Sequence, residues 1–311
     1  VSETQTSAVA RTGHVAIVGR PNVGKSTLLN ALVGEHVSIT SRKPQTTRQR
    51  VLGVLTRGAP PATEQFIFVD TPGFQRRHRS LLTKKMNESV TAALADVDAV
   101  VLVIESKGWT AQDDEVLRLL PAPGDGARPV VLAINKVDLM ADRDALLPLM
   151  AQSAQRYPFA AIVPVSAERQ RQLDDLLAEL ARFLPEGEPL FVADQYTDRP
   201  VRFLAAELIR EKAFRLLGDE LPYGIAISID RWQEPAQEGG RASIVATLLV
   251  ERDSHKGIVI GEGGAKLREI GRLARADIEK MLGHPVHLET HVRVRKGWAD
   301  SLRDLRSLGY D

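Results

Sequence analysis

Gly19-Arg20-Pro21-Asn22-Val23-Gly24-Lys25-Ser26 is the stretch on which the reading of this chain turns. It fits the spacing G-x-x-x-x-G-K-[ST], follows the apolar run Val15-Ala16-Ile17-Val18, and leads into a helix-forming segment from Thr27 to Val33. Strand, glycine-rich loop and helix form the context in which this spacing cradles phosphate. Successive backbone N–H groups curl around the anion, and the helix N-terminus adds a favourable dipole. Lys25 is expected to neutralise charge on the β- and γ-phosphates and the Ser26 hydroxyl to ligate Mg²⁺. Gly19, Arg20, Pro21, Asn22, Val23, Gly24 and Thr27 would complete the cradle.

The base is read further on, at Asn135-Lys136-Val137-Asp138, directly after the apolar run from Val130 to Ile134. A carboxylate at Asp138 accepts from both guanine donors, N1–H and the N2 amine. Adenine offers an acceptor at N1 and no amine, so ATP would leave Asp138 unpaired. Sites built on such pairing discriminate by roughly 10⁴ or more. Asn135 is expected to reach N7 and the Lys136 stem to cover the ribose face. Ser166-Ala167-Glu168, after the run from Ala161 to Val165, is expected to offer backbone N–H groups to O6. The nucleotide is therefore expected to be GTP or GDP.

Between these two lie the parts needed for hydrolysis. Asp70-Thr71-Pro72-Gly73 ends an apolar run; Asp70 is expected to hold Mg²⁺ through water, and the Gly73 N–H to contact the γ-phosphate. Lys43-Pro44-Gln45-Thr46-Thr47-Arg48 supplies a threonine that ligates Mg²⁺ only while a γ-phosphate is present. Thr47 is favoured and Thr46 is the alternative. The residue after Gly73 is Phe74, where Ras-type enzymes carry a water-orienting Gln, so intrinsic hydrolysis is expected to be slow. Asn22 has two readings: its carboxamide holds a K⁺ ion beside the phosphates, or it merely suits the turn. The residues expected to carry the chemistry are Lys25, Thr47, Gly73 and Asn22.

The chain has 311 residues, 41 Lys+Arg against 40 Asp+Glu, and no Cys. Length suggests two domains, the formal charge of +1 gives no argument from global basicity, and neither a disulfide nor a Cys-ligated zinc site is available. Residues 1–13 are polar, lack the pattern of a signal peptide, and read as a disordered tail. The apolar run Ala99 to Ile104 is too short to cross a bilayer, and a soluble cytoplasmic protein is expected. From 14 to 185, β-branched runs near 14–19, 50–56, 65–70, 98–104, 129–134 and 161–165 alternate with helical stretches near 25–33, 79–95, 111–120, 141–157 and 171–184. That alternation predicts an α/β domain on a mainly parallel sheet, with the second and third strands antiparallel. Pro185-Glu186-Gly187-Glu188-Pro189 opens a linker, 186–196.

Residues 197–311 follow a different plan. An amphipathic helix over 200–217 precedes two strands, Gly224–Trp232 and Arg241–Glu251. Then come an apolar turn at Gly257-Ile258-Val259-Ile260, Gly261-Glu262-Gly263-Gly264, a helix over 265–282, a strand over 286–295 and a terminal helix over 298–308. The order α-β-β-α-(G-x-x-G)-α-β is that of an α+β K-homology (KH) domain of the second topological type, whose glycine turn clamps single-stranded RNA. Basic residues outnumber acidic ones over 251–306 but only balance them over 191–311, so the excess is local, as a phosphate footprint requires. Lys256, Ile260, Gly261, Glu262, Gly263, Gly264, Lys266, Arg268 and Arg272 are the expected RNA contacts.

The two halves together resemble the Era family of bacterial GTPases over about residues 14–310. The more specific shared segments are Ser38-Ile39-Thr40-Ser41-Arg42-Lys43-Pro44-Gln45-Thr46-Thr47-Arg48 and His255-Lys256-Gly257-Ile258-Val259-Ile260-Gly261, with Ile270-Gly271 and Leu308-Gly309-Tyr310. The family commonly carries a basic residue inside the G-x-x-G turn, and Glu262 departs from that pattern. The resemblance implies maturation of the small ribosomal subunit through binding near the 3′ end of its rRNA, with GTP favouring RNA binding and hydrolysis releasing the protein. It also implies peripheral association with the inner membrane. Two rivals are an RNA-binding adaptor with negligible hydrolysis and a membrane-surface GTPase with helix 200–217 on lipid.

Overall fold

The computed structural model describes residues 9–41, 43, 46–74, 80–122, 124, 127–217, 224–235, 237 and 239–309. Two compact units divide the chain. Among the described residues, one comprises those within 9–38, 47–74 and 87–198, the other those within 39–46, 80–86 and 199–309.

The first unit is built on a six-stranded sheet in the order β2-β3-β1-β4-β5-β6. Its strands are β1 (Arg11–Val18), β2 (Val51–Arg57), β3 (Glu64–Asp70), β4 (Ala99–Glu105), β5 (Val130–Asn135) and β6 (Ala161–Pro164). All neighbours are parallel except β2 and β3, which are antiparallel as expected. Strand period sorts the apolar side chains into two cores. Val15, Ile17, Val101, Val103, Val131 and Ala133 face one cluster, with Leu28, Leu29 and Leu32 of α1 (Lys25–Val33) and Leu176, Leu177 and Leu180 of α5 (Leu173–Ala181). Ala16, Val18, Val100, Leu102, Ile104, Leu132 and Ile134 face the other. There α2 (Leu81–Ala95) supplies Val90, Ala93 and Leu94, α3 (Ala111–Leu117) Val116, and α4 (Leu146–Ala154) Leu149. The site residues therefore cluster at the C-terminal ends of β1, β3, β4 and β5, where open α/β sheets bind ligands.

Three expectations need correction. Residues 11–13 are not part of a tail: Arg11, Thr12 and Gly13 extend β1 opposite Glu64, Gln65 and Phe66. The polar Arg-Thr-Gly sequence carries no strand signature, and the pairing comes from β3. The segment opened by Pro185 is fastened rather than free, since Leu190 and Phe191 N–H donate to Gln65 Oε1. The apolar turn at 257–260 is the last turn of a helix. Residues 1–8, Pro44, Gln45 and Tyr310 lie outside the described residues.

In the second unit α6 (Val201–Leu216), β7 (Ile225–Gln233), β8 (Ala242–Val250), α7 (Asp253–Ile260), α8 (Ala265–Leu282) and β9 (Val286–Val294) follow in the expected order. The sheet runs β7-β8-β9, the first pair antiparallel and the second parallel. One core joins Ala205, Leu208, Ile209 and Ala213 of α6 to Ile270, Ala274 and Ile278 of α8 over the sheet. Another gathers Leu82, Met86, Ala226, Leu249, Trp298 and Leu305 of α9 (Leu302–Ser307). Glu211, only 1% exposed, is satisfied by the Thr40 N–H and hydroxyl, by Lys212 and by Arg215. A carboxylate buried so deeply without partners would be strongly destabilising.

Candidate nucleotide site and RNA-binding turn

The phosphate loop joins β1 to α1. Gly24 caps the helix at φ 100°, in the left-handed region, and a Cβ there would collide with Asn135 Nδ2. Only glycine satisfies both constraints. The Lys25 ammonium donates to Gly19 O and Arg20 O, each at 3.0 Å. Burial lowers its pKa to about 8; the Asp70 carboxylate opposes that shift, and Arg20 reinforces it.

Asp70 closes β3 and organises the metal side. Its Oδ2 accepts from Ser26 Oγ at 2.8 Å, Ser38 Oγ at 2.8 Å and Thr47 Oγ1 at 3.2 Å, and Ser26 and Thr47 share a hydrogen bond of 2.7 Å. Asp70 Oδ1 is buried without a hydrogen-bond partner, and burial raises the carboxyl above the usual range. A carboxylate with one buried oxygen unsatisfied, ringed by hydroxyls, is a hard oxygen donor set that suits Mg²⁺. Ser26, Thr47 and Asp70 would hold the ion; when bound, it supplies positive charge to the phosphates. Thr46 is elsewhere, its hydroxyl donating to Lys43 O at 2.7 Å. The geometry thus favours Thr47 over Thr46.

Gly73 lies against the phosphate loop: a Cβ there would stand 2.9 Å from Pro21 Cα and N. Phe74 packs on the apolar cluster of the sheet, where it orients no water. Thr71 belongs by position to the expected nucleotide contacts; its buried hydroxyl donates to Ile17 O at 2.9 Å and ties β3 to β1. That hydroxyl is structural.

At the base end, Asn135 Nδ2 donates to Val23 O at 2.9 Å and Oδ1 accepts from Ala167 N at 3.0 Å. The same side chain thus joins the phosphate loop, the base motif and the Ser166-Ala167 loop. Within the Ser166-Ala167-Glu168 segment expected to face O6, the Ser166 N–H donates to Arg171 O and the Ala167 N–H to Asn135 Oδ1. Ser166 Oγ donates to Asp138 Oδ1, which orients the half-buried carboxylate. Lys136 and Asn22 both have φ 66°, and the Lys136 ammonium donates to Asn22 O at 2.6 Å. The left-handed turn that Asn tolerates is therefore present at Asn22.

Four contributors escaped the motif reading. Ser38 had no assigned role; it is held by Asn30, which receives the Val37 and Ser38 N–H groups and donates to Ser38 O. Its place in the Ser38–Arg48 segment was the available signal. Glu105 and Asp113 grip Arg20 and, through Glu105, Lys136. Burial acts to raise the Glu105 carboxyl, but Lys136 and Arg20 more than reverse this and hold it below the usual range.

In the second unit Gly261–Gly264 connects α7 to α8, with left-handed φ at Gly261, Gly263 and Gly264. Glu262, Lys256 and Lys266 are exposed, Ile260 is half-buried and Ile258 is 39% exposed. Arg268 donates to Gly263 O at 2.7 Å and Arg272 pairs with Glu269. The lysines are exposed, while the Gly261 and Gly264 N–H groups donate to Gly257 O and Gly261 O and both arginines spend donors within the protein.

A phosphate loop with a guanine-reading Asn-Lys-x-Asp motif, on a mainly parallel sheet, defines a P-loop GTPase, here joined to a KH fold. Family profiles agree: one described as a 50S ribosome-binding GTPase matches residues 14–136, and a KH-domain profile matches 220–299. GTPase Era of Bordetella avium is 53% identical over 305 residues, covering 98% of this chain and 99% of its own, and that of Nitrosomonas eutropha is 48% identical over 301 residues. This chain belongs to the Era family of GTPases. A solved variant of Aquifex aeolicus Era bound to GDP·AlF4⁻ superposes with a TM-score of 0.89 at 39% identity, covering 96% of this chain and 99% of that one. Era in complex with MgGDPNP and nucleotides 1506–1542 of 16S ribosomal RNA gives 0.90 at 40% identity over 97% of this chain.

Proposed function

We propose that this GTPase is a switch that binds single-stranded rRNA near the 3′ end of the small-subunit rRNA and assists maturation of that subunit. The Gly261–Gly264 turn between α7 and α8, with Glu262 and Gly263 exposed beside exposed Lys256 and Lys266, is the observation that carries the RNA half. Support for the choice of RNA comes from the Era complex with 16S nucleotides, which matches over both halves of the chain. The profile whose description mentions the 50S subunit covers residues 14–136 alone, so it bears on the nucleotide half.

The nucleotide contacts are those of the phosphate loop with Asp70, Gly73, Asn135, Lys136 and Asp138, Mg²⁺ resting on Ser26, Thr47 and Asp70. A K⁺ ion at Asn22 belongs to this reading as a candidate. We take residues 14–185 as the GTPase domain and 197–311 as the KH domain. Ordering of a loop at 34–49 or 71–85 by the γ-phosphate would couple nucleotide state to the RNA-binding half. The cytoplasm is the working compartment, with inner-membrane contact at most peripheral. No helix among the described residues is long and apolar enough to cross a membrane, and Leu204, Leu208, Ile209 and Phe214 of α6 are buried while Val201 is exposed.

RNA affinity at two salt concentrations tests the reading. Gly263 has open space beside it but lies at φ 53°, so Asp meets no clash there and carries a backbone strain that Asp bears better than most residues. Gly263→Asp should weaken single-strand RNA binding about tenfold, or about 1.4 kcal/mol, through blocked approach and repulsion. Glu262→Lys should strengthen it and steepen the salt dependence by roughly one phosphate contact. GTP hydrolysis without RNA should be unchanged in both. Equal RNA affinity in all three proteins would move the RNA site away from this turn.

A further inference from the structure

Motif reading assigns Lys136 to the ribose face of the nucleotide but leaves open what holds it there. Its backbone lies in the left-handed region at φ 66°, a conformation that costs a non-glycine residue energy and persists only where the surroundings enforce it. Ser106 Oγ donates to Lys136 O at 2.9 Å, and the ammonium is shared between Asn22 O and Glu105 Oε1. Glu105 ends β4 directly opposite Asn135 in the parallel register, so β4 and β5 themselves deliver its carboxylate to the base motif. The second oxygen of Glu105 pairs with Arg20 of the phosphate loop at 3.3 Å, and Arg20 Nε pairs with the fully buried Asp113 at 3.3 Å. Asp113 is fixed in turn by Thr110 in the capping box of α3.

The result is a chain of alternating charge, Asp113, Arg20, Glu105, Lys136, with two carboxylates and two cations. It runs from a helix N-terminus through the phosphate loop to the base-reading loop. Side chains of Arg20 and Glu105 are 15% and 14% exposed, so the links are shielded and their geometry is defined. Glu105 bonds Arg20 of the phosphate loop and Lys136 of the base loop, adding a charged bridge to the direct links from Lys136 to Asn22 O and from Asn135 to Val23 O. Phosphate grip and base grip are covalently distant, 19–26 against 135–138, and an ordered nucleotide must satisfy both at once. Holding the loops at a set separation before binding spares the nucleotide the cost of ordering them.

We propose that Glu105 is a positioning residue for the guanine nucleotide: by bridging Arg20 and Lys136 it locks the base-reading loop to the phosphate loop and sets how long GDP and GTP stay bound. The lock acts on both nucleotides alike, because Arg20 bonds Asp113, Pro21 O and Glu105, Lys136 bonds Asn22 O and Glu105, and these side chains make no bond to Ser26, Thr47 or Asp70. This rests on the reading of Asn135–Asp138 as the base site.

The experiment uses the full chain with Glu105→Gln, Lys136→Met and the double variant. Gln keeps shape and removes charge; Met keeps the stem and removes the ammonium. Release of a fluorescent GDP analogue is followed by stopped flow, and multiple-turnover hydrolysis gives kcat and KM. Glu105→Gln should speed GDP release about tenfold and raise KM for GTP by a similar factor, with kcat unchanged. Lys136→Met should speed GDP release and raise KM at least as much, and the double variant should be little worse than Lys136→Met, because the two residues act as one unit. Release as slow as in the unmodified protein, or a fall in kcat with KM intact, overturns the proposal. Multiplicative effects in the double variant overturn the route through Lys136. Asp138→Asn, which should shift preference from GTP toward XTP, separates the two readings. If that shift occurs while Glu105→Gln changes nothing, only the lock fails. If the shift is absent, the base site and the lock fall together.

Discussion

Gly73→Ala offers the sharpest test of how the γ-phosphate is sensed. Gly73 is not at a positive φ, so alanine brings no backbone penalty of its own. What it brings is a methyl group 2.9 Å from Pro21 Cα and Pro21 N, where ordinary contact begins at 3.4 Å. Both atoms belong to the phosphate-loop backbone, so one of the two loops must retreat by at least about 0.5 Å. The Gly73 N–H is the donor assigned to the γ-phosphate, and its displacement removes stabilisation where charge develops in the transition state. Misplacement on the order of 1 Å costs up to about 10²-fold, and loss of one such donor about 10²–10³-fold, or roughly 2.7–4 kcal/mol. A fall in kcat of about 10² is therefore expected. GDP carries no γ-phosphate, so its affinity should stay within about twofold of the unmodified value. Phosphate release under multiple turnover and equilibrium GDP titration together supply the readout. Unaltered hydrolysis would refute the placement of Gly73. A parallel loss of GDP affinity would show instead that alanine distorts the phosphate loop.

Lys25 makes nucleotide binding pH-dependent in a direction set by its burial. Its pKa without nucleotide is about 8, below the ordinary 10.5, so above pH 8 the folded protein has shed a proton that the unfolded chain keeps up to 10.5. The cost of burying the ammonium is present in full below pH 8 and is relieved as pH rises through that window, so this group adds stability there. Phosphate requires the charged form, so GDP affinity should fall by up to about tenfold per pH unit above 8, with proton uptake on binding. Calorimetry in two buffers of different ionisation heat would detect that proton, and its absence at pH 8.5 would refute the assignment. Asn22 is tested by salt identity: if it holds K⁺, hydrolysis is faster in K⁺ than in Na⁺ at equal ionic strength, and Asn22→Ala abolishes the difference. Equal rates in both salts would leave Asn22 as the left-handed turn residue that its φ already makes it.

The contiguous motifs were legible in the chain because each is a local pattern with one chemical purpose. Gly19–Ser26, Asp70–Gly73, Asn135–Asp138 and Gly261–Gly264 are each a single turn, read from side-chain type and spacing, and the alternation of apolar runs predicted both architectures. Tertiary structure decided whatever depends on residues distant in sequence. The hydroxyl of Thr47 meets Asp70 while that of Thr46 turns to Lys43, a choice between neighbours that no spacing rule can make. By position Thr71 and Ala167 read as ligand contacts, and only the structure shows that the Thr71 hydroxyl donates to Ile17 O and the Ala167 N–H to Asn135 Oδ1. Arg11–Gly13 became strand because β3 pairs with them, not through any propensity of their own. Glu105 and Asp113 carry no motif at all; each is an ordinary acidic residue until parallel pairing of β4 with β5 and the capping of α3 bring them to Arg20 and Lys136. Local sequence specifies turns and periodicity, whereas the partners of a buried charge are chosen by the packing that removes it from water.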